Sequence, residues 1–516
     1  MNIKTSIQTI ARAGKLARIA WAARRATRGP EDRRLAAQQV LARLLADARG
    51  VPLKIGQLLS NTTDASVFNE LAKGVEPRPW PRMKRVLERG LGRPIDHVFS
   101  DIDPIGIAAS LGQVHRGTLL DGTDVAIKLR YPDIADAVAA EMRLAGLMPG
   151  FGPVAKWGFD LAGYKATLKA NMDRELNYCG ELQRQQRLGQ TITVEGLVVP
   201  RVYPNLSGGE VLVQSWEPGE HLDVAAAWPC ADRARIAQIL LHTFFSSLFV
   251  AGEVHGDPHV GNVLVRRSRE SQPQVVLLDF GCTVEVSRPA RLAILKLIVG
   301  ARRKDATDPL ACFAAMGFDA DKLEPVADAL PAMAQLLVEP FLNDAPFFAD
   351  HWHLSERINQ LLGELRWWFR SAGPSDLLLF VRAFAGLVHQ LRMLGSRLPW
   401  WAILTDAVGP QLLREAELFD PPAPRRATRR VQDFAGVAKL LRIRVLEGES
   451  QVVSVSMPAA QVVRLNELIP DDVLPRIVAA GIDLEHIARR ACELGLSPQP
   501  LFELKTETRH YQVWLE

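Results

Sequence analysis

His255-Gly256-Asp257-Pro258-His259-Val260-Gly261-Asn262 follows the longest stretch of the chain free of Asp, Glu, Lys and Arg, Ile236 to Gly252. A second cluster, Leu277-Leu278-Asp279-Phe280-Gly281, ends a short apolar run. Working outward toward the N-terminus, Val125-Ala126-Ile127-Lys128 closes a run of strand pattern, and Glu175 and Glu181 fall on a helical pattern after it. These residue types suit transfer of a phosphoryl group from a nucleotide. A lysine neutralises the α/β-phosphates, and a carboxylate holds that lysine. Mg²⁺ needs hard oxygen ligands, and a further carboxylate receives the proton of the nucleophile. Lys128 fits the first role, Asp257 the last, and Asn262 and Asp279 fit the metal.

Asp257 and Asn262 have the spacing of base and metal ligand in a kinase catalytic loop. Each piece alone is weak. Lys128 could be a solvated lysine at a strand end, and Asp279 could cap a turn. Four pieces in kinase order, each on a suitable element, point to a kinase-like nucleotide site. Two parts of an ordinary protein kinase are missing. No G-x-G-x-x-G precedes Lys128, where the chain reads Ile105-Gly106-Ile107-Ala108-Ala109-Ser110-Leu111-Gly112-Gln113, and no A-P-E follows Asp279. Adenine is expected at a hinge, Gln214-Ser215-Trp216-Glu217-Pro218-Gly219, through backbone groups. There Trp216 either walls the pocket or is a plain core tryptophan.

With these departures the chain resembles the UbiB/AarF (ABC1-type) atypical kinases. Lys54-Ile55-Gly56-Gln57 matches their K-x-G-Q signature, and Ala108 to His115 matches their alanine-rich loop with the strand after it. Glu175-Leu176-Asn177 aligns with their E-x-D motif, Glu181 with the glutamate six residues on, and His255 to Asn262 with H-x-D-P-H-P-G-N. The resemblance implies an α+β, protein-kinase-like two-lobed fold whose K-x-G-Q extension covers the active site. It implies ATP and Mg²⁺ as cofactors, with a slow, lipid-responsive ATPase or a small-molecule phosphotransferase linked to ubiquinone or other isoprenoid-lipid metabolism. Ala108, Ala109 and Ser110 would line the nucleotide site with Lys128, Trp216 and Glu217. Lys54, Gln57 and Glu175 would join Asp257, Lys128 and Glu181 in the catalytic set. On one continuous helix, Glu175 and Glu181 would point about 120° apart. Glu181 is therefore assigned to Lys128 and Glu175 to Lys54. Three departures stand out: Asn177 replaces the E-x-D aspartate, Ile107 replaces the loop's first alanine, and Val260 replaces the second proline.

The 516 residues are 48% hydrophobic and 23% charged, an ordinary globular composition that excludes a disordered or collagen-like chain. Residues 1–30 carry seven basic residues and no acid, leaving −3 for the rest of a chain whose total is +4. Large clustered basic excess is absent beyond them, so no nucleic-acid partner is expected. Ile3, Ile7, Ile10, Gly14, Ala17 and Trp21 recur at helical spacing among those basic residues. Such a helix either lies in a lipid interface or packs on the protein with a solvated basic face. No transmembrane span and no secretory signal are expected; the expected location is cytoplasmic, with a peripheral place at the inner face of the membrane as the alternative. Anionic lipid, isoprenoid or quinone precursors and an oligomer are the expected partners beside nucleotide. Five dispersed cysteines without a C-x-x-C fit a reducing compartment.

The expected units are a basic helix (1–30), the helical extension (31–97), an N-lobe (98–218), a helical C-lobe (219–420), a Pro- and Arg-rich linker (421–440) and a small α/β module (441–516). Two further functions compete with the enzyme. One is a non-catalytic nucleotide-binding regulator. The other is an aminoglycoside- or choline-kinase-like phosphotransferase, against which the covering Lys54–Gln57 segment speaks.

Overall fold

A computed structural model describes residues 77–109, 111–139, 160–423 except 258 and 364, and 438–516 except 439, 449, 471–472, 494–495, 497 and 507. Lys54, Gln57, Ser110, the basic N-terminal helix and most of the linker lie outside them.

The N-lobe is an antiparallel sheet with helices on it. Helix α1 (Trp80–Leu91) starts with a proline in its first turn and ends at Gly92 in the left-handed conformation. Strands β1 (Phe99–Ile102), β2 (Ile107–Ala108), β3 (Gly112–Leu119) and β4 (Asp124–Arg130) follow. The β3–β4 hairpin turns at Asp121-Gly122 as the sequence suggests. Gly122 has φ +83°, and the Asp121 carboxylate accepts from the Thr123 amide at 2.9 Å. Met83 and Leu87 of α1 pack on Val125, Ile127 and Leu129, so the end of the expected extension is built into the N-lobe core.

The single helix expected through Glu175 and Glu181 is two helices, α2 (Leu161–Glu175) and α3 (Tyr178–Thr191). Asn177 breaks them. It has φ −103° and ψ +88°, and its side chain accepts from the Gly180 amide at 3.0 Å, capping α3. The 120° argument for the two glutamates therefore fails, because it assumed one unbroken helical rotation. Asn177 itself is exposed.

After β5 (Leu197–Val198) and β6 (Val211–Ser215), the chain crosses to the C-lobe. The N-lobe sheet has the order β1-β3-β4-β6, with β2 on β3. Strand β7 (Glu220–His221) precedes helix α4 (Cys230–Phe245). Strands β8 (Glu253–His255), β9 (Val263–Arg267), β10 (Pro273–Leu277) and β11 (Thr283–Glu285) then frame the two polar clusters. β9 and β10 are the apolar runs read from sequence. β7, β8 and β11 are too short to show a periodicity, and only pairing defines them. Helices α5 (Arg288–Arg303), α6 (Leu377–Leu394) and α7 (Trp400–Leu418) complete the lobe. Its core joins Ile239, Leu241, Phe280, Leu295, Leu387 and Trp400. Trp400 and Trp368 are buried as expected of core residues, whereas Trp401 and Trp367 are half-buried beneath arginines. Two helical stretches, Cys230–Ala251 and Leu377–Leu394, are long and apolar enough to cross a membrane by length and composition. Here they contribute side chains to the same core.

The C-terminal residues form a four-stranded antiparallel sheet of β12 (Leu440–Glu447), β13 (Ser450–Pro458), β14 (Gln499–Lys505) and β15 (His510–Leu515), in the order β13-β12-β15-β14. Helix α8 (Leu484–Glu493) packs on it, with its first turn capped by Asp483, whose carboxylate accepts from the His486 amide at 2.9 Å.

Candidate functional site

Lys128 sits on β4 between β3 and β6, opposite Val114 and Leu212. The strand buries its neighbours Ile127 and Leu129 completely and turns the lysine toward α3. There Glu181, 1% exposed, receives the ammonium at 2.8 and 3.0 Å, and Asp279 Oδ1 lies 3.1 Å from the same nitrogen. Burial works against the lysine's charge, but the two carboxylates hold it protonated well above the ordinary lysine range. Burial also pushes the Glu181 carboxyl up to about 7, with Asp279 adding to the rise and Lys128 opposing it. Glu181 stands in the first turn of α3, where the helix dipole favours negative charge.

Asp279 is held by its backbone. It has φ +60°, a left-handed conformation uncommon outside glycine and asparagine, and its Oδ1 accepts from the Gly281 amide at 3.0 Å. The His255 Nε2–H donates to Asp279 O at 2.6 Å and to Leu278 O at 3.0 Å. Arg184 of α3 donates to Phe280 O at 2.9 Å and to Gly281 O at 3.2 Å. Phe280 is fully buried with its ring edge-on to His255. Thus α3 grips the Asp279 segment through Arg184 and the lysine through Glu181, three residues apart on one helix.

In the other cluster, Asn262 Nδ2 donates to Asp257 O at 3.1 Å, and Asn262 O accepts from the Leu278 amide at 2.8 Å. These bonds tie the two polar clusters together. The Asp257 carboxylate is engaged by Arg382 of α6 at 2.8 Å, and both side chains are almost buried.

A cavity between the lobes is lined by Ala109, Gly112, Lys128, Glu175, Tyr178 and Asp279, among others. The structure thus assembles Lys128, Glu175, Glu181, Asp279 and Ala109, with Ala108 on β2 beside them. Glu175 accepts from Asn171 Nδ2 at 3.1 Å. Trp216 and Glu217 lie on the connector between the lobes and are not among the residues lining this cavity. Glu217 pairs with Arg266 at 2.8 Å and accepts from the Ser215 hydroxyl at 2.7 Å. The half-buried Trp216 ring lies under the Arg116 guanidinium, 5.4 Å away. The hinge side chains are therefore spent on the protein, and the Ser215 and Trp216 amides are as well, donating to Arg201 O at 2.7 Å and to Asp124 O at 3.1 Å.

Among the described residues, no group of three or more His, Cys, Asp or Glu could hold a metal ion. Asp279 and the Asn262 amide oxygen are hard donors, too few for a protein-only shell. That fits Mg²⁺, which is commonly held by one or two protein ligands with phosphates and water. Bound there, it would neutralise phosphate charge.

Residues 70–311 match the ABC1 atypical kinase-like domain. The matched stretch is just under half of the chain. An uncharacterized Synechocystis protein is 28% identical over 52% of this chain and 70% of its own length. AarF domain-containing protein kinase 1 of Xenopus tropicalis is 30% identical over 47% of this chain and 49% of its own. The chain thus spans about half the length of several curated relatives that it matches. Among solved structures, the Mycobacterium tuberculosis protein Rv3197, determined in complex with erythromycin, superposes with a TM-score of 0.50 at 22% identity. It covers 73% of this chain and 97% of its own, a likeness of fold.

The ABC1 domain also uses residues that no motif marks. Arg184 lies three residues after Glu181 and could have been suspected from helical spacing alone. Arg382 comes from outside the matched range, 125 residues after Asp257. Its sequence signal is an arginine in the apolar first half of a helix whose other polar residues, His389, Gln390 and Arg392, lie near its end, and such a buried charge calls for a partner. The Cys282 thiol is buried and donates to Asn171 Oδ1 at 3.2 Å.

Proposed function

We propose that this chain is an Mg²⁺-dependent atypical kinase or ATPase that binds ATP in the cavity between its lobes. The observation that carries this reading is one lysine held by two carboxylates from different elements, Lys128 between Glu181 and Asp279. Lys128 would meet the α/β-phosphates, Asp279 and Asn262 would hold the metal, and Asp257 would face the phosphoryl acceptor. The connector 214–219 would take adenine through backbone groups other than the Ser215 and Trp216 amides. Lys54 and Gln57 would belong to a covering segment, with Glu175 as the partner of Lys54. A lipid-soluble acceptor at a membrane surface, of the isoprenoid or quinone class, suits the +7 charge of residues 1–30.

A second reading has one observation in its favour. The carboxylate expected to act as base is taken by Arg382, which suits a nucleotide-binding regulator without phosphoryl transfer.

The test is Mg²⁺-dependent ATP hydrolysis by the purified protein, with and without anionic liposomes, beside Asp279→Asn and Lys128→Ala. Turnover that rises with lipid, disappears in Asp279→Asn and loses nucleotide affinity in Lys128→Ala supports the enzyme. Unchanged turnover in Asp279→Asn removes the metal site. ATP binding without turnover under either condition leaves the regulator.

A further inference from the structure

Tyr178, the first residue of α3, is 1% exposed and lines the same cavity as Lys128 and Asp279. Its hydroxyl is buried and has no hydrogen-bond partner among the described residues. A buried hydroxyl left unpaired is costly, and such groups call for an explanation. The Lys128 ammonium lies 5.2 Å from the centre of the phenol ring, so the ring and the cation occupy one spot. The hydroxyl also points at the backbone of the alanine-rich turn. A Cβ on Gly112 would stand 2.7 Å from the Tyr178 oxygen and 2.3 Å from Leu129 O. Only glycine lets the turn close over the phenol, and the Ala109 amide then reaches Gly112 O at 2.8 Å.

We infer that the Tyr178 hydroxyl is a hydrogen-bond donor to a phosphate oxygen of the nucleotide bound beside Lys128. This inference rests on the proposed nucleotide site. The surroundings make the phenol a donor. Burial raises its pKa above the ordinary tyrosine value, so it keeps its proton. An anionic phosphate oxygen can accept that proton's hydrogen bond, and it is brought to this place by the ammonium 5.2 Å from the ring. The phenol would thereby do part of what backbone amides of a glycine-rich loop do elsewhere, in a chain whose loop reads Ile107-Ala108-Ala109.

The experiment is Tyr178→Phe in the full chain, which removes one oxygen and keeps the ring. Titration calorimetry with Mg-ATP and with adenosine is compared for the two proteins, together with the melting temperature without nucleotide. The expected loss of Mg-ATP affinity is about tenfold, the scale of one hydrogen bond to a charged group. Adenosine affinity should be unchanged, and the ligand-free variant should melt at the same temperature or higher. Mg-ATP affinity within twofold of the parent overturns the inference, as does an equal loss for adenosine. A lower melting temperature also overturns it, because the hydroxyl then serves the fold. If the parent protein binds neither ligand, the nucleotide site itself is wrong, and the inference falls with it.

Discussion

At the scale of single residues, the site is an arrangement of charge that burial makes consequential. Glu181 is the clearest case. Its carboxyl titrates at about 7 in the folded protein, above the ordinary 4.5. An acid raised in this way binds more protons folded than unfolded between those values. Its contribution to stability is thus complete below the ordinary value and is lost as pH rises through about 7. We expect the parent protein to lose stability relative to Glu181→Gln between pH 5.5 and pH 8.5, measured as the difference of their melting temperatures. A difference independent of pH would mean that Glu181 is ionised throughout. The motif residues were readable as a set, because each is a chemically distinctive type and they stand at fixed spacings in kinase order. Tyr178 and Arg382 were not, because their roles depend on what the fold places beside them.

Among elements, the decisive one is the break between α2 and α3. Sequence free of proline on both sides carries a helical pattern through 164–187, and periodicity alone joins the two stretches. Asn177 separates them because its side chain competes with the helix for the Gly180 amide. The break lets α3 start afresh, with Glu181 and Arg184 facing the Asp279 segment. An aspartate could make the same cap, so the departure from E-x-D keeps the turn while removing one charge. Asn177→Ala should cost about 1 kcal/mol of stability, whereas Asn177→Asp should stay close to the parent in chemical denaturation. Equal losses in the two variants would show that the cap is not what matters. The hairpin at Asp121-Gly122 behaved oppositely. Local turn chemistry suffices there, so sequence and structure agree on it.

For the whole molecule, the larger hydrophobic cores among the described residues are those of the N-lobe sheet with α1, the helical C-lobe, and the C-terminal sheet with α8, beside smaller clusters such as that around Phe313 and Phe318. The C-terminal core is closed on itself around Leu441, Val462, Ile477 and Leu515, with Leu365 of the C-lobe at its margin. We expect a chain ending at residue 423 to keep its nucleotide-dependent rise in melting temperature, and residues 436–516 alone to unfold cooperatively. Loss of the nucleotide response on truncation would show that the module completes the site. By itself the sequence determined the α+β class, the kinase-like order of Lys128, Asp257, Asn262 and Asp279, and the larger strands. These follow from residue type, spacing and periodicity, all local along the chain. Only the tertiary structure decided that Glu181 and Asp279 share one lysine, that Arg184 grips the Asp279 segment, and that Arg382 meets Asp257. Those contacts join residues from 53 to 151 positions apart, and pairing over such distances is set by packing of the lobes rather than by any local propensity.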